Sequence, residues 1–187
     1  EYLGATAIED VLQDNLQETL INLREAGIKF WMLTGDNPLT AVSIGHSSGL
    51  IDDSFESVVF NNCDIKEISA KLVNIIDSKY TNKVCFVVTG QVLAYIFSLN
   101  KKGLKKIFTL AILKSDCFIG CRVSPKQKAE IVLLVKNEVP ENSTLAIGDG
   151  ANDVNMISSA HVGIGIQGVE GTQASRASDF SIGQFSY

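Results

Sequence analysis

The chain has 187 residues, enough for one domain with a substantial core, since a domain of that size buries about 70% of its unfolded surface. It is 45% apolar and 20% charged, with a formal charge of −5. That composition excludes a disordered chain and argues against nucleic acid as a partner, because binding to a phosphate backbone relies on clustered Lys and Arg.

Short apolar runs alternate with amphipathic helical patterns, the arrangement of a parallel α/β sheet. Residues 2–7 are expected to form a first strand. Asp14, with Gln17 three positions later, predicts a capped helix. Leu12, Leu16, Leu20 and Leu23 fall on one face of it, and Gly27 ends it. Ile28 to Leu33 reads as a buried strand. Asn37 and Pro38 open the next helix and Gly49 closes it. Asp64 and Glu67 mark a third helix, striped by Ile65, Ile68, Leu72 and Ile75. Val84 to Val88 is an expected strand, followed by helical sequence to about residue 113, with the basic stretch Ser98 to Lys106 read as a solvated surface turn.

Cys117 to Cys121 reads as a short strand. Ser124, Pro125 and Gln127 then open a helix with both a capping box and a proline in its first turn. Thr144 to Ile147 is a strand running into Gly148-Asp149-Gly150. A short helix, a strand from Val162 to Ile166, a helix near 170–177 and a last strand at 179–182 complete the chain. No repeat and no linker interrupts it, so a single domain over residues 1–187 is expected.

The cysteines Cys63, Cys85, Cys117 and Cys121 form no CxxC pair, and neither His46 nor His161 stands at zinc-finger spacing from them. They read as reduced core thiols of a cytosolic setting, with metal ligation by Cys117 and Cys121 as the alternative. No signal-peptide pattern follows Glu1. The most apolar stretch, Val84 to Leu99, is interrupted by Thr89, Gly90, Gln91 and Ser98 and is shorter than the roughly 20 residues of a membrane span. A soluble chain is expected, without excluding a membrane-bound parent.

Three polar clusters follow three expected strands. In open α/β sheets the carboxyl ends of strands are where ligands bind. The first cluster is Thr34-Gly35-Asp36. A small hydroxyl can bond a phosphoryl oxygen, a glycine lets the backbone approach, and the next helix offers free N–H groups to an anion; a plain turn capped by Asp36 is the other reading. The second is Arg122 with Ser124-Pro125-Lys126-Gln127-Lys128, where a lysine in the first helical turn can neutralise a phosphate at the sheet edge, or both lysines lie on an exposed face. The third, and the most specific, is Gly148-Asp149-Gly150-Ala151-Asn152-Asp153. Its hard oxygen donors on a tight loop suit Mg²⁺, which takes one or two carboxylates and keeps several waters.

Taken in this order, the three clusters resemble the later motifs of the haloacid-dehalogenase-like phosphotransferases, and among them the P-type ATPases. The run Phe30 to Asp36 is similar to the phospholipid-flippase (P4) branch. So are Gly4 to Asp10, Cys121 to Pro125 with Gln127 to Glu130, Gly148 to Val154, and Gly163 to Ile166 with Glu170-Gly171. Cation pumps carry a DPPR-like stretch where this chain has Ala7-Ile8-Glu9-Asp10. The resemblance implies a Rossmann-like sheet flanked by helices on both faces. It implies that Thr34 and Gly35 bind phosphoryl oxygens, and that Asp36 beside them helps gate dephosphorylation and nucleotide handling. It implies that Lys128 neutralises an aspartyl-phosphate, with Arg122 near nucleotide phosphates. Asp149 is the implied Mg²⁺ ligand, with Asn152 and Asp153 orienting the ion and completing the phosphate shell. ATP as substrate, a phospholipid handled by a membrane domain outside this chain, an accessory subunit, and a cytoplasmic domain on an integral membrane protein follow from the same resemblance.

The chain departs from the family in two ways. No DKTGT stretch and no D-x-D pair occurs in it, so the nucleophilic aspartate and the central strand that carries it are absent. The chain is expected to be inactive alone and to bind Mg²⁺ weakly. Its sheet is expected to leave a gap, to close it with another strand, or to borrow one from a neighbour, with a dimer or a swapped strand as the outcome where an edge stays open. Where the family has an acidic residue before a glycine, this chain has Thr89-Gly90. A separate reading starts from Gly163-x-Gly165-x-x-Gly168, which fits a dinucleotide fingerprint. Such a loop needs a ribose-binding acid about 20 residues further on, where this sequence stops. A soluble phosphatase relative and a non-catalytic interaction domain are the remaining alternatives.

Overall fold

A computed structural model describes residues 3–4, 12–62, 64–98, 102–167 and 171–185. In chain order the elements are α1 (Leu16–Glu25), β1 (Trp31–Leu33), α2 (Pro38–Ser47), β2 (Phe55–Phe60), α3 (Ile65–Ile76), β3 (Lys83–Thr89), α4 (Gly90–Phe97), α5 (Lys102–Lys114), β4 (Cys117–Cys121), α6 (Pro125–Glu138), β5 (Leu145–Gly148), a 3₁₀ turn (Ala151–Asp153), α7 (Val154–Ser159), β6 (Val162–Ile166), α8 (Gln173–Ala177) and β7 (Phe180–Ile182). All strands pair in parallel, in two sheets ordered β1-β4-β3-β2 and β5-β6-β7. The expected parallel α/β architecture is present, and its strands form two separate sheets, which is the gap expected as one outcome for a sheet without its central strand. Strand β1 is an edge of the first sheet and β5 an edge of the second.

The four-stranded sheet is covered on both faces. Val84, Phe86 and Val88 of β3 and Phe118 of β4 point into a cluster closed by α3, α4, α5 and α6. The alternate residues Cys85, Val87, Cys117, Ile119 and Cys121 point the other way, against Leu20 of α1 and Ala41 of α2. Period-two alternation along buried strands assigns these two faces. Phe86 stacks on Phe60 with ring centroids 4.3 Å apart and meets Phe108 edge-on at 5.4 Å, so this core is built on aromatic contacts.

Local signals read from the sequence hold where the partners are near in the chain. Asn37 caps α2 by accepting from the Thr40 N–H, and Asp64 caps α3 through Lys66. Ser124 and Gln127 form both bonds of a capping box. The N-terminus of α1 differs: Asn15, at φ 62°, precedes it and makes no side-chain cap, and neither does Asp14. Gln17 is recruited elsewhere, its Nε2 donating to the Ser47 carbonyl at 2.9 Å. Of the stripe expected on this helix only Leu20 is fully buried, and Leu12 lies exposed.

Residues 28–30 lie outside β1, with Ile28 exposed. Strand β2 has no counterpart in the sequence reading. The basic segment expected to be a surface turn is the start of α5 from Lys102 onward. Leu3 and Gly4 are not in a strand, and the other positions of the expected 2–7 strand, like Asp10, Cys63, Gly168 and Glu170, lie outside the described residues. Cys85, Cys117 and Cys121 are free buried thiols, as expected.

Candidate active site

The carboxyl ends of β1, β4 and β5 carry the three polar clusters, and a continuous set of contacts joins them. After β1 the chain turns at Thr34-Gly35-Asp36. The Thr34 hydroxyl donates to Asp36 Oδ2 at 2.7 Å and accepts from the Asp36 N–H at 3.1 Å, which ties the loop into one unit. The turn after β4 docks on that loop through its backbone. The Arg122 N–H donates to the Asp36 carbonyl at 2.9 Å, and the Val123 N–H to the Thr34 carbonyl at 3.1 Å. Arg122 holds a left-handed φ of 49°, a conformation that non-glycine residues adopt rarely and mostly at constrained sites. The residue is exposed.

From that turn, Ser124 launches α6, and the helix carries Lys128 inward. Lys128 Nζ donates to Asp153 Oδ1 at 2.8 Å, and each side chain is only 9% exposed. Lys126, two residues earlier, points into solvent and meets only Glu130 at 3.7 Å. The structure thus separates the two lysines: one is a surface charge and the other half of a buried ion pair. An isolated buried charge costs several kcal/mol, so each member of this pair requires the other. The pair also joins the two sheets, since α6 packs on the first and Asp153 follows β5 of the second. Gly148 makes room for it. A Cβ there would lie 2.4 Å from Asp153 Cβ, so no side chain fits.

Asp149 and Asn152 stand exposed on the loop between β5 and the 3₁₀ turn. Among the described residues no hydrogen bond or ion pair engages the Asp149 carboxylate, and no three His, Cys, Asp or Glu side chains gather at metal-binding distance. Thr34 with Asp36, and Lys128 with Asp153, are therefore brought together directly. Arg122 joins through its backbone, while Asp149 and Asn152 face outward from the same rim.

Two features of the rim had no sequence signal of their own. Gln127, read only as a cap, also donates from Nε2 to the Gly90 carbonyl at 2.6 Å, linking the start of α4 to that of α6. A Cβ at Gly90 would lie 2.3 Å from the Arg122 carbonyl oxygen, so the departure Thr89-Gly90 keeps the glycine that this approach requires. Thr89 itself is 9% exposed, and its hydroxyl has no hydrogen-bond partner. Below the rim, burial and then the Asp36 charge push the Cys121 thiol up to about 11. Cys85 is pushed up further, first by its hydrogen bond with Cys117 and then by burial.

Fold and rim together define an open parallel α/β protein whose charged loops meet at the carboxyl ends of its strands. Two models of haloacid dehalogenase-like hydrolases match the sequence, one over residues 1–76 and the other over residues 61–170. The chain belongs to the haloacid dehalogenase-like hydrolases.

Its similarity to curated proteins runs almost end to end. It is 47% identical over 193 residues to the phospholipid-transporting ATPase C887.12 of Schizosaccharomyces pombe, covering 99% of this chain and 15% of that protein. It is 46% identical over 188 residues to the probable phospholipid-transporting ATPase DNF3 of Saccharomyces cerevisiae, covering 99% of this chain and 11% of that one. Against phospholipid-transporting ATPase 1 of Arabidopsis thaliana it is 43% identical over 189 residues, covering 99% and 16% respectively. The chain thus spans about one-seventh of the length of these relatives, and among its described residues no helix is long and apolar enough to cross a membrane.

Proposed function

We propose that this chain is a segment of the phosphorylation domain of a phospholipid-transporting P-type ATPase. In this reading the parent couples ATP hydrolysis, through an aspartyl-phosphate, to lipid translocation, and this segment lies on the cytoplasmic side of an integral membrane protein. The observation that carries it is the buried Lys128–Asp153 pair beside the Thr34–Asp36 loop, in a sequence similar over 99% of its length to transporters of that kind.

The chain supplies the surroundings of the phosphate and lacks the nucleophile. Thr34 Oγ1 and the backbone of Gly35 bind phosphoryl oxygens, and Asp36 holds the Thr34 hydroxyl in place. Lys128 is kept beside the reacting centre by Asp153, with its ammonium able to neutralise a phosphorylated carboxylate. Arg122 reaches out to nucleotide phosphates, and Asn152 completes the phosphate shell.

The donor set fits Mg²⁺ in part. Asp149 is an open hard carboxylate, while Asp153 is already committed to Lys128. Asp149 is thus the ligand this chain offers, and Asp153 acts behind it. Mg²⁺, when bound, neutralises phosphate charge. Because the ion takes one or two carboxylates and only one is open here, this chain alone binds it weakly. Micromolar Mg²⁺ binding by the isolated chain would count against this assignment.

The nucleophile strand is assigned to the open edges of β1 and β5, the two strands that carry Thr34 and Asp149 at their ends. The test is phosphorylation by ATP. The purified chain is expected to gain no hydroxylamine-labile phosphate. The full-length parent is expected to gain it, and Lys128→Met is expected to slow its turnover at least a hundredfold. Labelling of the isolated chain, or absence of labelling in the parent, rejects the proposal.

A further inference from the structure

The first turn of α6 carries an amide that serves three stretches of chain at once. Gln127 Oε1 accepts from the Ser124 N–H at 3.0 Å, and the Gln127 main-chain N–H donates to Ser124 Oγ at 3.3 Å. Gln127 Nε2 donates to the Gly90 carbonyl at 2.6 Å. The first two bonds make a helix cap, and glutamate makes that cap as readily as glutamine. Glutamate would also gain from the positive end of the helix dipole. Only the third bond needs an amide, because a carboxylate would turn an acceptor toward the Gly90 carbonyl. Glutamine at position 127 therefore answers to Gly90 and not to the cap.

Between its two anchor points lies the turn after β4. Thr89 stands opposite Cys121 in the parallel ladder, so Gly90 continues alongside Arg122. The approach is close: a Cβ on Gly90 would lie 2.3 Å from the Arg122 carbonyl oxygen and 2.8 Å from Gln127 Oε1. Gln127 thus holds Gly90 on one flank of the turn and Ser124 on the other. Arg122, between them, sits at φ 49°, a conformation that a non-glycine residue keeps only where its surroundings impose it. In that conformation the Arg122 and Val123 N–H groups reach the Asp36 and Thr34 carbonyls, and the Thr34 N–H in turn donates to the Gly120 carbonyl at 2.9 Å. The Thr34–Asp36 loop takes its position from the turn after β4, and the turn takes its shape from Gln127 and Gly90.

We propose that Gln127 is a positioning residue for phosphate recognition. It acts through Arg122, fixing the turn that presents Arg122 and holds the Thr34–Asp36 loop. The inference rests on the reading of this rim as the phosphoryl site of an ATPase. The Gln127 amide is spent on Ser124 and Gly90, so it works by placement and not by contact with the phosphate. Loss of the Nε2 bond frees the Gly90 flank, Arg122 relaxes toward an ordinary φ, and its N–H leaves the Asp36 carbonyl.

Two variants separate the bond from the charge. Gln127→Glu keeps an acceptor for Ser124 and loses the donor. Gln127→Met keeps the bulk of this half-buried side chain and loses both. In the isolated chain, amide hydrogen exchange at Arg122 and Val123 is expected to be on the order of tenfold faster in both variants, with exchange along the β3–β4 ladder unchanged. In the full-length parent both variants are expected to raise the KM for ATP by about fivefold or more, whereas a mere loss of folded enzyme lowers kcat and leaves KM alone. Arg122→Gln is expected to raise KM as well, and joining it to Gln127→Met should add little, because residues that act as one unit are non-additive. Unchanged exchange at Arg122 and Val123 overturns the proposal, and so does a fully additive double variant. An unchanged KM in Gln127→Met overturns it too, since the cost in Gln127→Glu would then belong to the new charge. ATP-dependent phosphorylation of the unsubstituted parent is scored in parallel. Its absence rejects the transporter reading, while exchange in the isolated chain judges the clamp by itself.

Discussion

The two sheets follow the same strand–helix rule and reach opposite degrees of completion. In the β1–β4 sheet, Phe86 and Phe118 are fully buried, and both faces carry helices. In the β5–β7 sheet the face of Gly163 and Gly165 is tightly packed against α7 and α8, and the aliphatic face of Ile164 and Phe180 is open. The difference shows that burial in a parallel sheet depends on the direction in which the chain crosses it as much as on the hydrophobicity of its strands. Ile164 is as apolar as Ile119, yet Ile119 is buried and Ile164 is not. The candidate site draws on both sheets, with its Thr34 loop on the finished one and its Asp149 loop on the unfinished one.

The comparison can be broken most directly by truncating one aromatic on each side. Phe118→Ala is expected to destabilise the chain by about 3–5 kcal/mol, the usual cost of emptying a packed aromatic site. Phe180→Ala is expected to cost less than about 1 kcal/mol in the isolated chain, as is usual for surface substitutions. Urea unfolding of both variants checks this, and similar losses would mean that the second sheet is as well covered as the first.

The link between the sheets is tested by Lys128→Met, which strands Asp153 as a buried charge. A loss of about 3–5 kcal/mol is expected, and adding Asp153→Asn to that variant should recover a large part of it. A double-mutant cycle measures the coupling, and a coupling near zero would show that the two sheets do not depend on this pair.

A smaller effect separates the faces of the first sheet by pH. The unfolded chain gives up a thiol proton near 9, whereas folded Cys121 holds its proton up to about 11. Unfolding therefore releases a proton in that window. Stability that is fully present below pH 9 should fall as pH rises toward 11, by no more than about 2–3 kcal/mol from this thiol. The dependence should become shallower in Cys121→Val, with the raised Cys85 thiol supplying the part that remains, as followed by denaturation midpoints across the alkaline range.

The smallest expected change is a gain. Thr89→Val removes a buried hydroxyl that has no partner and should raise stability by about 1 kcal/mol. A loss of similar size would show that the hydroxyl is hydrogen-bonded in solution.

The sequence by itself determined what depends on near neighbours. The caps at Asn37, Asp64 and Ser124 are satisfied within three residues, and the runs at β3, β4 and β6 are apolar enough to be read as strands. The glycine-flanked Asp149 loop and the Thr34 turn were legible for the same reason, as short polar motifs immediately following strands. Tertiary structure decided what depends on distant partners. It moved the start of α1 from Asp14 to Leu16 by giving Gln17 to Ser47, and it made β2 a strand by pairing it with β3. It also supplied the physical reason for separating Lys128, which the family resemblance had singled out, from Lys126, by burying it beside Asp153, 25 residues away. Val162 to Ile166 was legible as a strand, and the register of the sheet sets Val162, Ile164 and Ile166 on one face of β6. What covers that face was not written in the strand, because a cover is set by where the chain goes next and from which side it returns.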